Sequence, residues 1–163
     1  MTDLGATMLL MFALLLLLPM YWGAVQRPTD VVKWTVAAPA AWTTAGGTLK
    51  LTIKADVEDG WKLYALEQPA AGPQPLAFTV TKPFAVQVKS ITAPAAKVLK
   101  DPQFEVNTRY YEKTATFTVP VSVPADLAGM HEIPLEVTFQ ACGADICLRP
   151  YTQKLPVHIE VRR

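Results

Sequence analysis

From Arg27 onward the chain alternates apolar and polar residues over short stretches, each closed by proline, glycine or an acidic turn. The clearest stretch sets Leu49, Leu51, Ile53, Ala55 and Val57 against Lys50, Thr52 and Lys54. A period of two turns one set toward a core and the other toward water, which is the pattern of a half-buried strand. Ala45-Gly46-Gly47 precedes it as a turn, and Glu58-Asp59-Gly60 closes it as another. Val31–Val36 is expected as the first strand, ended by Ala38-Pro39, and Trp61–Leu66 as the one after the tight turn. A proline-rich connector from Pro69 to Pro75 then leads to strands at Leu76–Val80 and Phe84–Ile91, a Pro94-containing loop, a segment around Asp101–Tyr111 and a strand at Thr114–Val119. Pro124 and Gly129 flank a connector to a further alternating run, Ile133, Leu135, Val137, Phe139 and Ala141. Leu155, Val157, Ile159 and Val161 make the last. About eight short strands with turns between them predict an all-β fold, an immunoglobulin-like antiparallel β-sandwich, with a closed barrel as the alternative architecture.

The first 24 residues break this pattern. An apolar run from Met8 to Met20 lies in a stretch with no charged side chain between Asp3 and Arg27. Residues 1–24 are therefore expected to be a signal peptide or an N-terminal membrane anchor, and residues 28–163 the β-domain. A signal peptide is the leading expectation, with Gly23-Ala24 as small residues for cleavage, although no basic residue precedes the run. The charge-free stretch is long enough to span a bilayer, which makes the anchor the alternative. Either way the β-domain is expected outside the cytoplasm, where disulfides persist. The 163 residues carry a net charge of +1, and removing residues 1–24 with their single Asp3 leaves +2. That balance, without a basic cluster, points to neither nucleic acid nor an anionic membrane surface as a partner.

The only two cysteines, Cys142 and Cys147, are four residues apart, and Gly143-Ala144-Asp145 between them is turn chemistry. The segment reads as a hairpin with a four-residue loop, in which the two cysteines stand opposite each other. Directly opposed residues on antiparallel strands project to one face with Cα atoms about 4.5–5.5 Å apart, a spacing a disulfide tolerates. Cys142 shares the parity of Thr138 and Gln140, so the sulfurs are expected on the side away from the core stripe, within reach of another protein. A bridge closing so short a ring stabilises a fold by only about 2 kcal/mol. A fastening disulfide and a redox-active one are both compatible with these residues.

Other chemistry finds little support in the residues. His131 and His158 are the only histidines, in no metal-ligand spacing, and are expected on the surface or a strand face. Two thiolates could hold copper(I), though nothing else in the sequence supports it. No glycine-rich phosphate loop or G-x-S-x-G elbow is present, and Ser90 and Ser122 are the only serines. No cofactor or metal is called for. If the chain carries chemistry, sulfur performs it.

Several spaced motifs occur in one order: Asp59-Gly60-Trp61-Lys62-Leu63-Tyr64, Gln68-Pro69, Gly72-Pro73, Asp101-Pro102-Gln103-Phe104, Tyr110-Tyr111, and Gln140-Ala141-Cys142 through Cys147-Leu148-Arg149-Pro150. Over roughly residues 30–161 the chain resembles the N-terminal periplasmic domain of the thiol:disulfide interchange protein DsbD family. The resemblance implies an immunoglobulin-like sandwich whose Cys142–Cys147 pair takes electrons from a thioredoxin-like domain and passes them to periplasmic oxidoreductases. It implies that Cys147 forms the intermolecular mixed disulfide, that Phe104 on the Asp101–Glu105 loop caps the sulfurs, and that Tyr64 lies near them. Arg149, two residues after Cys147, is a candidate stabiliser of its thiolate, although many relatives have a second proline there. Family proteins continue into a membrane-spanning electron conduit and a thioredoxin-like domain. This chain contains no C-x-x-C, so thioredoxin-fold partners and a membrane electron donor are expected in trans. The alternative function is an exported binding or assembly module whose disulfide only fastens a hairpin.

Overall fold

The computed structural model describes residues 26–37 and 42–163. The expected leader or anchor, residues 1–24, lies outside them. Among the described residues no helix is long and apolar enough to cross a membrane.

One helical turn, α1 (Pro28–Val31), leads into β1 (Val32–Ala37). The alternating run forms β3 (Thr48–Val57), whose residues Leu49, Leu51, Ile53, Ala55 and Val57 are all buried. β3 pairs antiparallel with β1 on one side and with β9 (Thr114–Ser122) on the other, and β6 (Ala85–Val86) completes a four-stranded sheet. Facing it is a second sheet in which β10 (Gly129–Phe139) and β12 (Tyr151–Arg162) make one long antiparallel ladder from Gly129↔Val161 to Phe139↔Tyr151. β5 (Ala77–Val80) joins β10, and β2 (Trp42–Thr44) lies parallel to β12. The inward residues of the two sheets form one core, with Trp34, Phe78, Phe117 and Phe139 packed at ring-centroid distances of 5.4–6.2 Å. Each large side chain withdrawn in this way is worth about 1.5–3 kcal/mol. The arrangement is the expected sandwich of open sheets rather than a closed barrel.

Pro134 and Pro156 stand directly opposite each other within the longest ladder. β5 pairs with β10 only from Leu135 to Thr138, and β2 pairs with β12 only from Glu160 to Arg162, so both strands have an open side at these positions. A residue without an N–H is tolerated there.

A third sheet orders β11 (Ala141–Cys142), β4 (Lys62–Tyr64), β8 (Asn107–Tyr111) and β7 (Lys97–Lys100). It differs most from the sequence expectation. The strand expected at Trp61–Leu66 shortens to Lys62–Tyr64, because the Gln68 side-chain amide meets both the N–H and the C=O of Arg109 and takes the place of a neighbouring strand. The Asp101–Tyr111 segment is a strand only from Asn107; residues 101–106 are a loop, and β7 before it pairs from Lys97↔Tyr110 to Lys100↔Asn107. Phe84–Ile91 gives two strand residues and then a 3₁₀ turn at Val88–Ser90. Gly60 has φ +83, the left-handed region that its tight turn requires and that glycine enters without penalty.

Candidate functional site

The strand from Ile133 does not run on through Cys142. β10 ends at Phe139, and Gln140 carries the chain from the second sheet to the third, where its carbonyl accepts the Tyr64 N–H at 3.2 Å. Ala141 then pairs with Leu63 and Cys142 with Lys62. Beyond Cys142 the chain turns, and Cys147 stands opposite Cys142 in an antiparallel bridge with the two residues disulfide-bonded, Cα to Cα 4.1 Å. Gly143 N–H donates to Ile146 O at 2.9 Å and Leu148 N–H donates to Ala141 O at 3.0 Å. These bonds flank the cysteines and make them a non-hydrogen-bonded pair, the class in which opposed side chains approach most closely. A Cβ placed on Gly143 would meet the Trp61 indole at 3.6 Å, so the turn lies over that ring.

Leu63 and Tyr64 point to opposite sides of β4, as do Tyr111 and Tyr110 of β8, and the register pairs Leu63 with Tyr111 and Tyr64 with Tyr110. Leu63 and Tyr111 belong to the main core. Tyr64 and Tyr110 face away from it and form a separate apolar cluster with Cys142, against which Leu99, Phe104 and Cys147 pack. The expectation that the sulfurs avoid the core stripe therefore holds for Cys142, but the expectation of an open face does not. Cys142 is only 2% exposed, covered by aromatic side chains from two neighbouring strands and a loop, whereas Cys147 is half-buried. Parity along one strand selects a face but carries no record of what a distant loop lays over it.

Phe104 packs against this cluster, its ring edge-on to Tyr64 with centroids 5.8 Å apart and planes at 90°. Its loop is fixed by Asp101, which is 2% exposed. The carboxylate accepts hydrogen bonds from Tyr64 Oη at 2.6 Å, Gln103 N–H at 2.9 Å and Thr108 Oγ1 at 3.3 Å. The Asp101 N–H donates to Val106 O, and its carbonyl accepts from Glu105 N–H, both at 2.8 Å, with Glu105 at φ 59. Burial acts to raise the Asp101 pKa, but bonds from Tyr64, Gln103, Thr108 and the Phe104 backbone outweigh it and hold the carboxyl below its ordinary value. Burial, and then the Asp101 carboxylate, push the Tyr64 phenol far above its ordinary value, so Tyr64 stays a neutral donor.

The remaining neighbours are mixed. Arg149 is exposed, and so is Ile146, at the tip of the turn beside Cys147 with 57% of its surface accessible. Lys62, opposite Cys142 in register, places its Nζ 5.7 Å from the centroid of the Tyr110 ring. Among the described residues no group of three or more His, Cys, Asp or Glu could hold a metal ion. His158 is on the surface beside Glu132, at 3.3 Å. Sequence reasoning singled out Cys142, Cys147, Phe104, Asp101 and Tyr64, which the fold brings together. It did not place Tyr110 against the sulfurs, nor give a role to Thr108 or Gln140. The Tyr110-Tyr111 doublet was a usable signal, since adjacent strand residues face opposite sides and one of the two must leave the core.

Solved structures share this architecture. The DsbD N-terminal domain of Neisseria meningitidis in its reduced form superposes with a TM-score of 0.59 at 14% identity, covering 83% of this chain and 91% of that one. The N-terminal periplasmic domain of ScsB from Proteus mirabilis gives 0.57 at 15% identity, covering 83% of this chain and 49% of that one. At such identities the likeness speaks to the fold. Comparison with curated protein sequences gives no match. A family model described as the N-terminal domain of the thiol:disulfide interchange protein DsbD matches residues 29–158, which span all the strands described above except the last residues of β12. The chain belongs to that family of thiol:disulfide interchange domains, and its two cysteines, Cys142 and Cys147, are joined in a disulfide.

Proposed function

We propose that the domain works in the periplasm, taking electrons from a thioredoxin-like or membrane donor and passing them to thioredoxin-fold oxidoreductases, with Cys147 as the sulfur that partners meet. The observation that carries this assignment is the unequal cover of the pair: Cys142 is closed beneath Tyr64 and Tyr110, and Cys147 is half-buried at the end of an exposed turn.

The exchange then runs in two displacements. A donor thiolate attacks Cys147 Sγ, the intramolecular S–S bond breaks, and Cys142 Sγ leaves with the electron pair and takes up a proton. The donor's second thiolate attacks its own sulfur in the mixed disulfide and expels Cys147 as a thiolate. The donor is now the disulfide and the domain the dithiol, two electrons having moved. Attack of the Cys147 thiolate on an oxidised acceptor, followed by Cys142 attacking Cys147 Sγ, passes them on. Arg149 adds positive charge near Cys147 and favours its thiolate. Phe104 screens the sulfurs from small oxidants, with Asp101 and Tyr64 holding its loop. Delivery to the periplasm fits residues 1–24 as a leader or anchor, the disulfide, and the periplasmic origin of the Proteus mirabilis relative. The module reading, in which the disulfide only fastens the hairpin, has less support, since it leaves family membership unexplained.

The test uses a thioredoxin-fold protein retaining only its nucleophilic cysteine, activated as the thionitrobenzoate mixed disulfide. Cys142→Ser should release thionitrobenzoate and form a stable adduct at least about tenfold faster than Cys147→Ser. Equal rates would overturn the assignment of roles. If neither variant reacts, the interchange reading itself fails.

A further inference from the structure

Gln140 is the residue at which the chain passes from sandwich to site, and its side chain makes two bonds that pattern reading did not foresee. Its Oε1 accepts the backbone N–H of Gln74 at 2.8 Å. Its Nε2 donates to the backbone carbonyl of Leu148 at 3.1 Å. The first bond fixes the amide orientation, because only the oxygen can accept from an N–H, and the nitrogen is thereby directed at Leu148. Gln74 lies between Pro73 and Pro75, whose rings restrict the connector and make it a stiff anchor.

Leu148 follows Cys147. Its N–H is held by Ala141 O and its C=O by Gln140 Nε2, so both backbone groups are tied to the two residues preceding Cys142. While the disulfide is intact, the covalent bond would keep the arms together even without these contacts. In the dithiol that bond is gone, and alignment rests on the hydrogen bonds between the arms and the burial of Leu148. Two thiols held face to face close more readily than two that wander, since the ordering entropy has already been met by the scaffold. A contact that the closed form makes more firmly than the mobile dithiol raises the equilibrium constant for closing the disulfide by that difference.

We propose that Gln140 is a positioning residue for the exchange pair: by clamping the Cys147 arm to the proline-flanked connector it keeps the dithiol aligned and makes the domain a stronger reductant. This rests on the interchange reading only for its physiological use, because the alignment itself is a property of the isolated domain.

The test is equilibration of the domain in glutathione redox buffers, reading the ratio of dithiol to disulfide for wild type, Gln140→Ala and Gln140→Glu. Gln140→Ala removes both bonds. Gln140→Glu keeps the size and the acceptor for Gln74 but sets a carboxylate against the Leu148 carbonyl. Both should lower the closing constant by up to about three- to tenfold, the ordinary weight of one hydrogen bond that the disulfide form makes fully and the more mobile dithiol only part of the time. That moves the potential by up to about 15–30 mV in the oxidising direction. Urea unfolding of the oxidised forms reports whether each variant is folded at the outset. A shift in Gln140→Ala but not in Gln140→Glu would assign the effect to lost packing and overturn the proposal, as would a wild-type ratio in both. The thionitrobenzoate assay on the same preparations keeps the two ideas apart. Failure of exchange with shifted ratios would sink the interchange reading alone, and normal exchange with unshifted ratios would sink the clamp alone.

Discussion

Replacing Tyr64 with Phe removes one oxygen atom from a site where neither partner reaches water. Tyr64 is fully buried, and its Oη lies 2.6 Å from Asp101 Oδ2. The ring and its packing against Phe104 remain, so the perturbation isolates the hydrogen bond. A bond to a charged acceptor is worth about 1.5–3 kcal/mol net. Asp101 keeps three other donors, Gln103 N–H, Thr108 Oγ1 and the Phe104 backbone, which places the expected loss near about 2 kcal/mol. For a domain of this size that lowers the unfolding midpoint by about 5–10 °C. The pH dependence follows from the depressed Asp101 pKa. A carboxyl held lower in the folded than in the unfolded state contributes stability fully above the unfolded value, about 3.9, and loses it as pH falls through the folded value. Without the Tyr64 bond the folded value rises, so the variant has less to lose in acid. Urea titrations of Tyr64→Phe and wild type should show the full gap at neutral pH and a narrowing gap below about pH 4. A gap that is constant across pH would mean that the loss comes from packing, and no gap at neutral pH would refute the account of the loop's anchor.

Two further outcomes follow from the same geometry. Reducing the disulfide should cost about 2 kcal/mol, because it opens a ring running only from Cys142 to Cys147, and should leave a single cooperative urea transition; a broadened, non-cooperative transition would make the bridge structural. Phe104→Ala should speed reduction of the disulfide by dithiothreitol by about tenfold with little change in the unfolding midpoint, since the ring limits access more than it builds the core; an unchanged rate would remove Phe104 as a cap.

What was legible in the sequence depended on range. β3 and β12 are read off directly, because a long strand with one face in the core must alternate and a one-residue slip would expose the whole buried set. The cysteine register was readable because turn and pair are local. The short strands were misjudged where side chains stand in for backbone: the Gln68 amide against Arg109 ends β4 early, and β7, with its exposed Lys97-Val98 and Lys100, has too little buried surface to imprint a period. The cover over Cys142 was out of reach of pattern reading, since Tyr64, Phe104 and Tyr110 come from three separated segments that meet only through the pairing of β4, β8 and β7. Motif resemblance found Tyr64 and Phe104, and it could do so because it summarises long-range constraints that periodicity does not contain.

The division of apolar packing into two clusters has a consequence for motion. β4 and β8 act as a partition, with Leu63 and Tyr111 on the sandwich side and Tyr64 and Tyr110 on the sulfur side. Lifting the loop that carries Phe104 disturbs only the smaller cluster and leaves in place the larger one, which holds thirty buried residues among those described. The free energy of such an opening is set by a few contacts and is only a fraction of that for global unfolding. Amide protons around the cysteines can then trade with solvent through local breathing, while those of β3 must wait for the entire sandwich to come apart. On the proposed reading, in which a sulfur is presented and then covered again, this can happen repeatedly without placing the fold at risk.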